Sequence, residues 1–183
     1  MSICTRKRDL AYLLFFVTHV PIILLIDTVP LLPTCLQTNL SHTLREFYIT
    51  TYRDKFFEDP PTWFTVFIWM ELLYHLPLSI WATRGLLKDH PLVPVHLLVF
   101  GIQAFITTLT SLVVVWSWTD RSVAEKQQLT TLYAPYLALG MYSPKGDLIR
   151  MSKLVPNHII GGFMALDMVF RLRDKLMPKS KRE

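Results

Sequence analysis

Four stretches of the chain consist mainly of apolar residues, and polar segments separate them. The first three cover residues 10–32, 62–82 and 91–118. Each exceeds or approaches the roughly 20 residues that a helix needs to cross the hydrocarbon core of a bilayer. The pattern predicts an all-α membrane protein, in which a four-helix transmembrane bundle occupies residues 10–172 as one domain.

The fourth stretch is interrupted. Residues 129–140 and 162–170 are apolar, but neither part alone spans about 30 Å at a rise of about 1.5 Å per residue. Residues 141–161 between them contain charged side chains and two prolines. Two interpretations remain open: a broken helix with a polar loop at the membrane surface, or an insertion, such as a translated intron, that is absent from the working protein. The insertion is the interpretation we prefer.

Basic residues predict the orientation of the helices. They precede the first helix, lie between the second and third, and follow the fourth, and the positive-inside rule places all three groups in the cytosol. Both termini are therefore predicted to be cytosolic, and residues 173–183 form a basic cytosolic tail.

The last five residues resemble a retrieval signal. Lys179 and Lys181 stand fifth and third from the end, which fits the KxKxx pattern of membrane proteins returned to the endoplasmic reticulum. The alternative is a basic tail that binds anionic lipid beside the membrane. We expect a multi-pass protein of the endoplasmic reticulum membrane.

The composition supports a membrane protein and excludes other classes. Of the residues, 51% are hydrophobic and only 18% are charged, whereas soluble domains average about 25% charged residues. The net charge of +5 does not indicate nucleic-acid binding, because membrane topology explains the basic positions. No paired-cysteine metal spacing occurs, and we expect neither a metal nor another cofactor.

Two acids occupy membrane-spanning stretches, where a charged side chain costs about 2.5–3.5 kcal/mol on insertion scales. Asp27 lies in the first stretch, eight residues after His19, and Glu71 lies in the second, four residues before His75. We expect the acids to meet, to share one proton and to form, with the two histidines, a polar pocket for an apolar ligand with one polar or cationic group. The alternative is structural: a helix cap for Asp27 and an interhelical hydrogen bond for Glu71.

Several short motifs occur in the order and near the spacing of a known family. They are His19-Val20-Pro21-Ile22 with Asp27, Phe47-Tyr48 with Asp54, Pro60-Pro61-Thr62-Trp63-Phe64, Glu71-Leu72 with Leu76-Pro77, Thr107-Thr108-Leu109 and Tyr133-Ala134-Pro135-Tyr136-Leu137. On these motifs the chain resembles the sigma-2 receptor family, which belongs to the EXPERA group with the sterol isomerases (emopamil-binding proteins).

The resemblance implies a homodimeric protein of the endoplasmic reticulum that binds sterols and cationic amphiphiles in a cavity open to the membrane. It further implies that Asp27 pairs with a ligand amine, that Glu71 hydrogen-bonds to Asp27, and that Asp54 supports the site from a lumenal loop. A sterol-transport membrane protein is a partner consistent with this role. The positions that match pocket-lining residues of the family are Tyr48, Thr108 and Tyr133.

Two functions remain open at this point. The first is a non-enzymatic sterol- or lipid-binding protein that influences intracellular sterol homeostasis, with no catalytic residue. The alternative is a sterol double-bond isomerase, in which Glu71 and His75 transfer protons to and from the substrate. The chain departs from the family at His75, where the sigma-2 receptors carry glutamine, and in the interruption after Gly140.

Overall fold

The computed structural model describes residues 3–138 and 161–176. The helices of four or more residues in these ranges are α1 Lys7–Asp27, α2 Asn39–Tyr52, α3 Lys55–Glu58, α4 Thr62–Leu87, α5 Val93–Ser117, α6 Val123–Ala138 and α7 Gly161–Leu176. Among the described residues, α1, α4 and α5 are long and apolar enough to cross a membrane. The prediction of an all-α membrane protein is therefore confirmed.

Two predictions lie outside these ranges. The proposed insertion, apart from Gly161, and the retrieval lysines Lys179 and Lys181 are not among the described residues, and both stay predictions. The described parts of the fourth apolar stretch are α6 and α7, which flank the proposed insertion.

Helix α1 is shorter at its C-terminal end than its apolar run predicts. The helix ends at Asp27, five residues before the end of the predicted stretch. A short 3₁₀ turn, Val29–Leu31, follows, with Pro30 near its start and extended backbone at Leu32. Proline lacks the N–H group that would continue the helical hydrogen bonds, so the chain turns away here although its residues remain apolar.

The segment between the first two spans, which the sequence predicted as a lumenal loop, contains helices α2 and α3. Helix α2 begins with a reciprocal cap, in which the Ser41 amide donates to Thr38 Oγ1 (3.1 Å) and the Thr38 amide donates to Ser41 Oγ (3.0 Å). It ends at Arg53 in the left-handed conformation, with φ of 50°. Ser41 takes the place that glutamate usually holds in a capping box, which makes this start signal easy to overlook.

The described helices form two compact units. The first contains the described residues within 1–87 and 118–129, and the second contains those within 88–117 and 130–176. In the first unit, α1 packs along the C-terminal half of α4, and α2 packs on the C-terminal end of α1. This packing places α2 beside Asp27.

In the second unit, α5 packs against α7, and Gly101 permits the close approach. A Cβ atom at Gly101 would lie 3.0 Å from the backbone nitrogen of Ala165 and 3.2 Å from Cβ of Met164. Small residues at helix contacts are the usual means of close packing in membranes.

An aromatic cluster holds α3 in the first unit. The Phe56 side chain is buried and stacks on Phe64, with 4.7 Å between ring centroids. Trp63 and Trp118 meet the same ring edge-on at 5.3 and 5.0 Å. These contacts connect α3 with the start of α4 and with the residues that precede α6.

An ionic network beside α3 centres on Arg121, whose side chain is only 6% exposed. Its guanidinium donates to Glu58 (2.6 Å), to Asp120 (2.9 Å) and to the carbonyl of Arg53 (2.9 Å). Because these contacts reach both ends of residues 53–58, Arg121 fixes the segment that contains Asp54.

Two further ion pairs extend this network: Arg53 with Glu125 (2.8 Å) and Lys55 with Asp120 (2.9 Å). The hydrogen bond from Lys55 lowers the pKa of Asp120. Hydrogen bonds from Ser122 and the charge of Arg53 lower the pKa of Glu125. Both carboxylates are thus stabilised in their charged form.

Candidate functional site

Both intramembrane acids lie in π-helical segments. Asp27 closes the segment Ile23–Asp27, where the Thr28 amide donates to the carbonyl of Ile23 at 3.0 Å. Glu71 opens the segment Glu71–His75, after which the Leu76 amide donates to the carbonyl of Glu71. Such single wide turns within α-helices are rare and occur frequently at functional sites.

Proline explains the location of the second wide turn. In a regular α-helix, the ring of Pro77 would clash with the carbonyl of Leu73, and the hydrogen-bond pattern shifts just before this point. Pro21 similarly precedes the first π-helical segment. The structure has a π turn beside each of these prolines, and each π turn contains one of the two acids.

Asp27 and Glu71 interact electrostatically in the structure. Both side chains are partly buried, and the charge of Asp27 acts on Glu71. Atom Oε2 of Glu71 is buried and has no hydrogen-bond partner among the described residues. The hydrogen bond between the two acids that the sequence led us to expect stays a prediction.

Arg45 is a further candidate site residue, which the sequence did not predict. It lies on α2, and its Nη1 donates to the carbonyl of Ile26 at 2.8 Å, one residue before Asp27. The guanidinium carbon lies 5.0 Å from the centre of the Phe57 ring. Burial lowers the pKa of Arg45, while the charge of Asp27 acts in the opposite direction. Only the unpredicted helix α2 brings this residue to Asp27.

Asp54 is fully buried and positions its neighbours. Its Oδ2 accepts a hydrogen bond from the Tyr48 hydroxyl at 2.8 Å, and its Oδ1 accepts one from the Phe56 amide at 3.0 Å. It therefore caps α3 and connects that helix to α2. The charge of Asp54 also acts on Asp27. We call Asp27, Arg45, Asp54 and Glu71 the polar cluster.

The two predicted histidines also meet. The rings of His19 on α1 and His75 on α4 are buried, with 6.3 Å between their centroids. Phe15 stacks on His19 at 5.0 Å, and the Ser79 hydroxyl donates to the carbonyl of His75 at 2.6 Å. The histidine pair thus lies between the two helices that carry the acids.

The remaining two predicted site residues belong to the second unit. Thr108 is buried on α5, and Tyr133 is partly buried on α6. In the part of the chain that the structure describes, no group of three or more His, Cys, Asp or Glu side chains could hold a metal ion.

Comparison with known families gives a match over more than half of the chain. Residues 40–143 match the family described as EBP: EXPERA (EXPanded EBP superfamily). The match includes Arg45, Asp54 and Glu71 of the polar cluster, together with α2 and α4.

The individual relatives described next are between 26% and 33% identical to the chain. The chain is 33% identical over 141 residues to efficient mitochondria targeting-associated protein 19 of Schizosaccharomyces pombe, which covers 73% of this chain and 71% of the relative. It is 28% identical over 139 residues to the human sigma intracellular receptor 2, covering 69% and 78%. For the Saccharomyces cerevisiae mitochondria targeting-associated protein 19, the identity is 26% over 146 residues, covering 71% and 91%.

Proposed function

The chain belongs to the EXPERA family, and from this premise we propose that it binds a sterol or another lipid in the endoplasmic reticulum membrane through its polar cluster. Binding would influence intracellular sterol homeostasis without chemical change of the ligand. The named relatives support a ligand-binding role, because one of them is called an intracellular receptor.

The observation that carries the proposal is the buried, unpartnered Oε2 of Glu71. A buried polar atom without a hydrogen bond costs free energy, about 1–3 kcal/mol. A ligand hydroxyl that donates a hydrogen bond to this oxygen removes that cost. A sterol has such a hydroxyl at one end of an otherwise apolar body, and therefore matches one polar point between apolar helices.

The test is lipid identification on the purified full chain by mass spectrometry, followed by binding of labelled cholesterol. We expect Asp27→Asn and Glu71→Gln to lower sterol occupancy, because each replaces a carboxyl group at the cluster. Asp174→Asn is the matched control, since Asp174 is exposed on α7 in the second unit. Equal sterol occupancy in all variants would contradict the proposal.

The location in the endoplasmic reticulum is a separate proposal that rests on Lys179 and Lys181. Replacing both by alanine should move a tagged protein to later compartments of the secretory pathway. A tagged protein that stays in place would exclude this pair as the retrieval signal. The proposed partners, a second copy of the chain and a sterol-transport membrane protein, are tested by cross-linking in the same cells.

A sterol isomerase is the second candidate function, and the histidine pair favours it. Glu71 and His75 begin and end one π-helical segment, and His19 lies beside His75. An isomerase must donate a proton to one alkene carbon, which leaves a carbocation at the other, and then remove a proton from the next carbon beside that cation. Expression in cells that lack sterol isomerase discriminates between the functions: normal sterol products, lost in His75→Ala, would establish catalysis.

A further inference from the structure

Arg45 is held at three points next to Asp27. Its Nη1 donates to the carbonyl of Ile26 (2.8 Å), its Nη2 reaches the carbonyl of Phe57 (3.5 Å), and the guanidinium lies over the Phe57 ring. Helix α2, which carries Arg45, packs directly on the π-helical segment that ends at Asp27. The cation therefore has a defined place on that segment.

The hydrogen-bond and ring partners of Arg45 are all uncharged. Two are backbone carbonyls and one is an aromatic ring, so none of them neutralises the guanidinium. The neighbouring carboxylate is that of Asp27, which directly follows Ile26 in the chain and whose charge acts on Arg45. The structure thus supplies Asp27 with a cation from the protein itself.

We propose that Arg45 is a specificity-determining residue, which serves as the internal counter-ion of Asp27 and makes the site select lipids with an uncharged hydroxyl over cationic amphiphiles. This proposal rests on the proposed function and specifies its ligand class. A ligand ammonium group that approaches Asp27 meets the like charge of the anchored guanidinium. A hydroxyl group meets no such repulsion and still bonds to Asp27 or Glu71.

The resemblance to the sigma-2 receptor family implied a different ligand preference, namely pairing of Asp27 with a ligand amine. Arg45 changes this expectation for the present chain, because the carboxylate already has a protein cation beside it. The specificity proposed here arises because Arg45 repels the competing ligand, the amine, and not because it adds a contact to the preferred ligand.

The first experiment compares two probes on the unmodified full chain in lipid nanodiscs at neutral pH: octadecanol and octadecylamine, which differ only in the polar end. We expect the alcohol to bind at least about tenfold more tightly, since the ammonium group is repelled at short range. Tighter binding of the amine would overturn the proposal.

The second experiment uses a matched pair of variants. Arg45→Gln removes the charge but keeps a hydrogen-bond donor, and Arg45→Lys keeps the charge. We expect Arg45→Gln to bind octadecylamine about tenfold more tightly, while Arg45→Lys binds it as weakly as the unmodified protein. If both variants change amine binding equally, Arg45 has only a structural role.

The proposed function can fail separately from this inference. Loss of binding to cholesterol and to both octadecyl probes in the unmodified protein would contradict the lipid-binding function. Normal cholesterol binding together with unchanged amine affinity in Arg45→Gln would contradict only the role of Arg45. If Arg45→Gln does not fold, the comparison of the two probes on the unmodified chain decides the question.

Discussion

Replacing Tyr48 by phenylalanine tests whether the hydrogen bond to Asp54 stabilises the site. The substitution removes the hydroxyl that donates to Asp54 Oδ2 at 2.8 Å. It keeps the ring, which lies edge-on to Phe57 with 4.9 Å between centroids. The change therefore removes this hydrogen bond from the contact between α2 and α3 and keeps the ring contact.

The expected magnitude follows from the burial of the acceptor. Asp54 is 0% exposed, so bulk water does not readily replace the lost donor. Hydrogen bonds to charged groups contribute about 1.5–3 kcal/mol, and we expect Tyr48→Phe to lower the free energy of unfolding by about 2 kcal/mol. For a chain of this length, that corresponds to a fall in Tm of about 4–8 °C.

The assay is thermal unfolding of the full chain in detergent, with Tyr52→Phe as the control. Tyr52 lies on the same helix, and its ring contacts that of Tyr48 at 5.2 Å. Its hydroxyl forms no hydrogen bond within the described residues. If Tyr48→Phe unfolds at the same temperature as Tyr52→Phe, the bond to Asp54 does not contribute as argued.

Three further predictions concern packing and charge. Gly101→Ala should lower Tm by weakening the packing of α5 on α7, because the new Cβ meets the backbone nitrogen of Ala165 at 3.0 Å; overpacking costs about 1–3 kcal/mol, and an unchanged Tm would show that α7 shifts freely. Arg121→Leu should speed hydrogen exchange in residues 53–58, because it removes the two hydrogen bonds from Arg121 to Arg53 and Glu58; exchange at the unmodified rate would exclude this anchoring role. Acidification should also speed hydrogen exchange in residues 53–58, because the pKa values of Asp120 and Glu125 are lowered in the folded protein. The stability that the two carboxylates contribute is complete above their ordinary pKa values of 3.8 and 4.5. It is lost as the pH falls through their pKa values in the folded protein. Exchange that does not change with pH once the intrinsic rate is corrected would contradict this last prediction.

The membrane-spanning helices were predictable because their signal is local. A run of about 20 apolar residues must cross the bilayer as a helix, since lipid offers no partner for free backbone groups. Asp27 and Glu71 were identified as candidate site residues because a charged side chain within such a run costs free energy on insertion into the membrane. Helix α2 was not predicted, because it lies between spans and begins with a serine variant of the capping box.

The sequence by itself thus determined which segments enter the membrane and which of their residues are too polar to be there without a reason. The tertiary structure decided what surrounds those residues. It placed π turns at both acids, left Oε2 of Glu71 without a partner among the described residues, and brought Arg45 from another helix to the carbonyl of Ile26. The physical reason is the distance along the chain over which each feature is determined. Hydropathy and helix length depend on neighbouring residues. The cation near Asp27 is Arg45, 18 residues further along the chain, and its position depends on how α2 packs against α1.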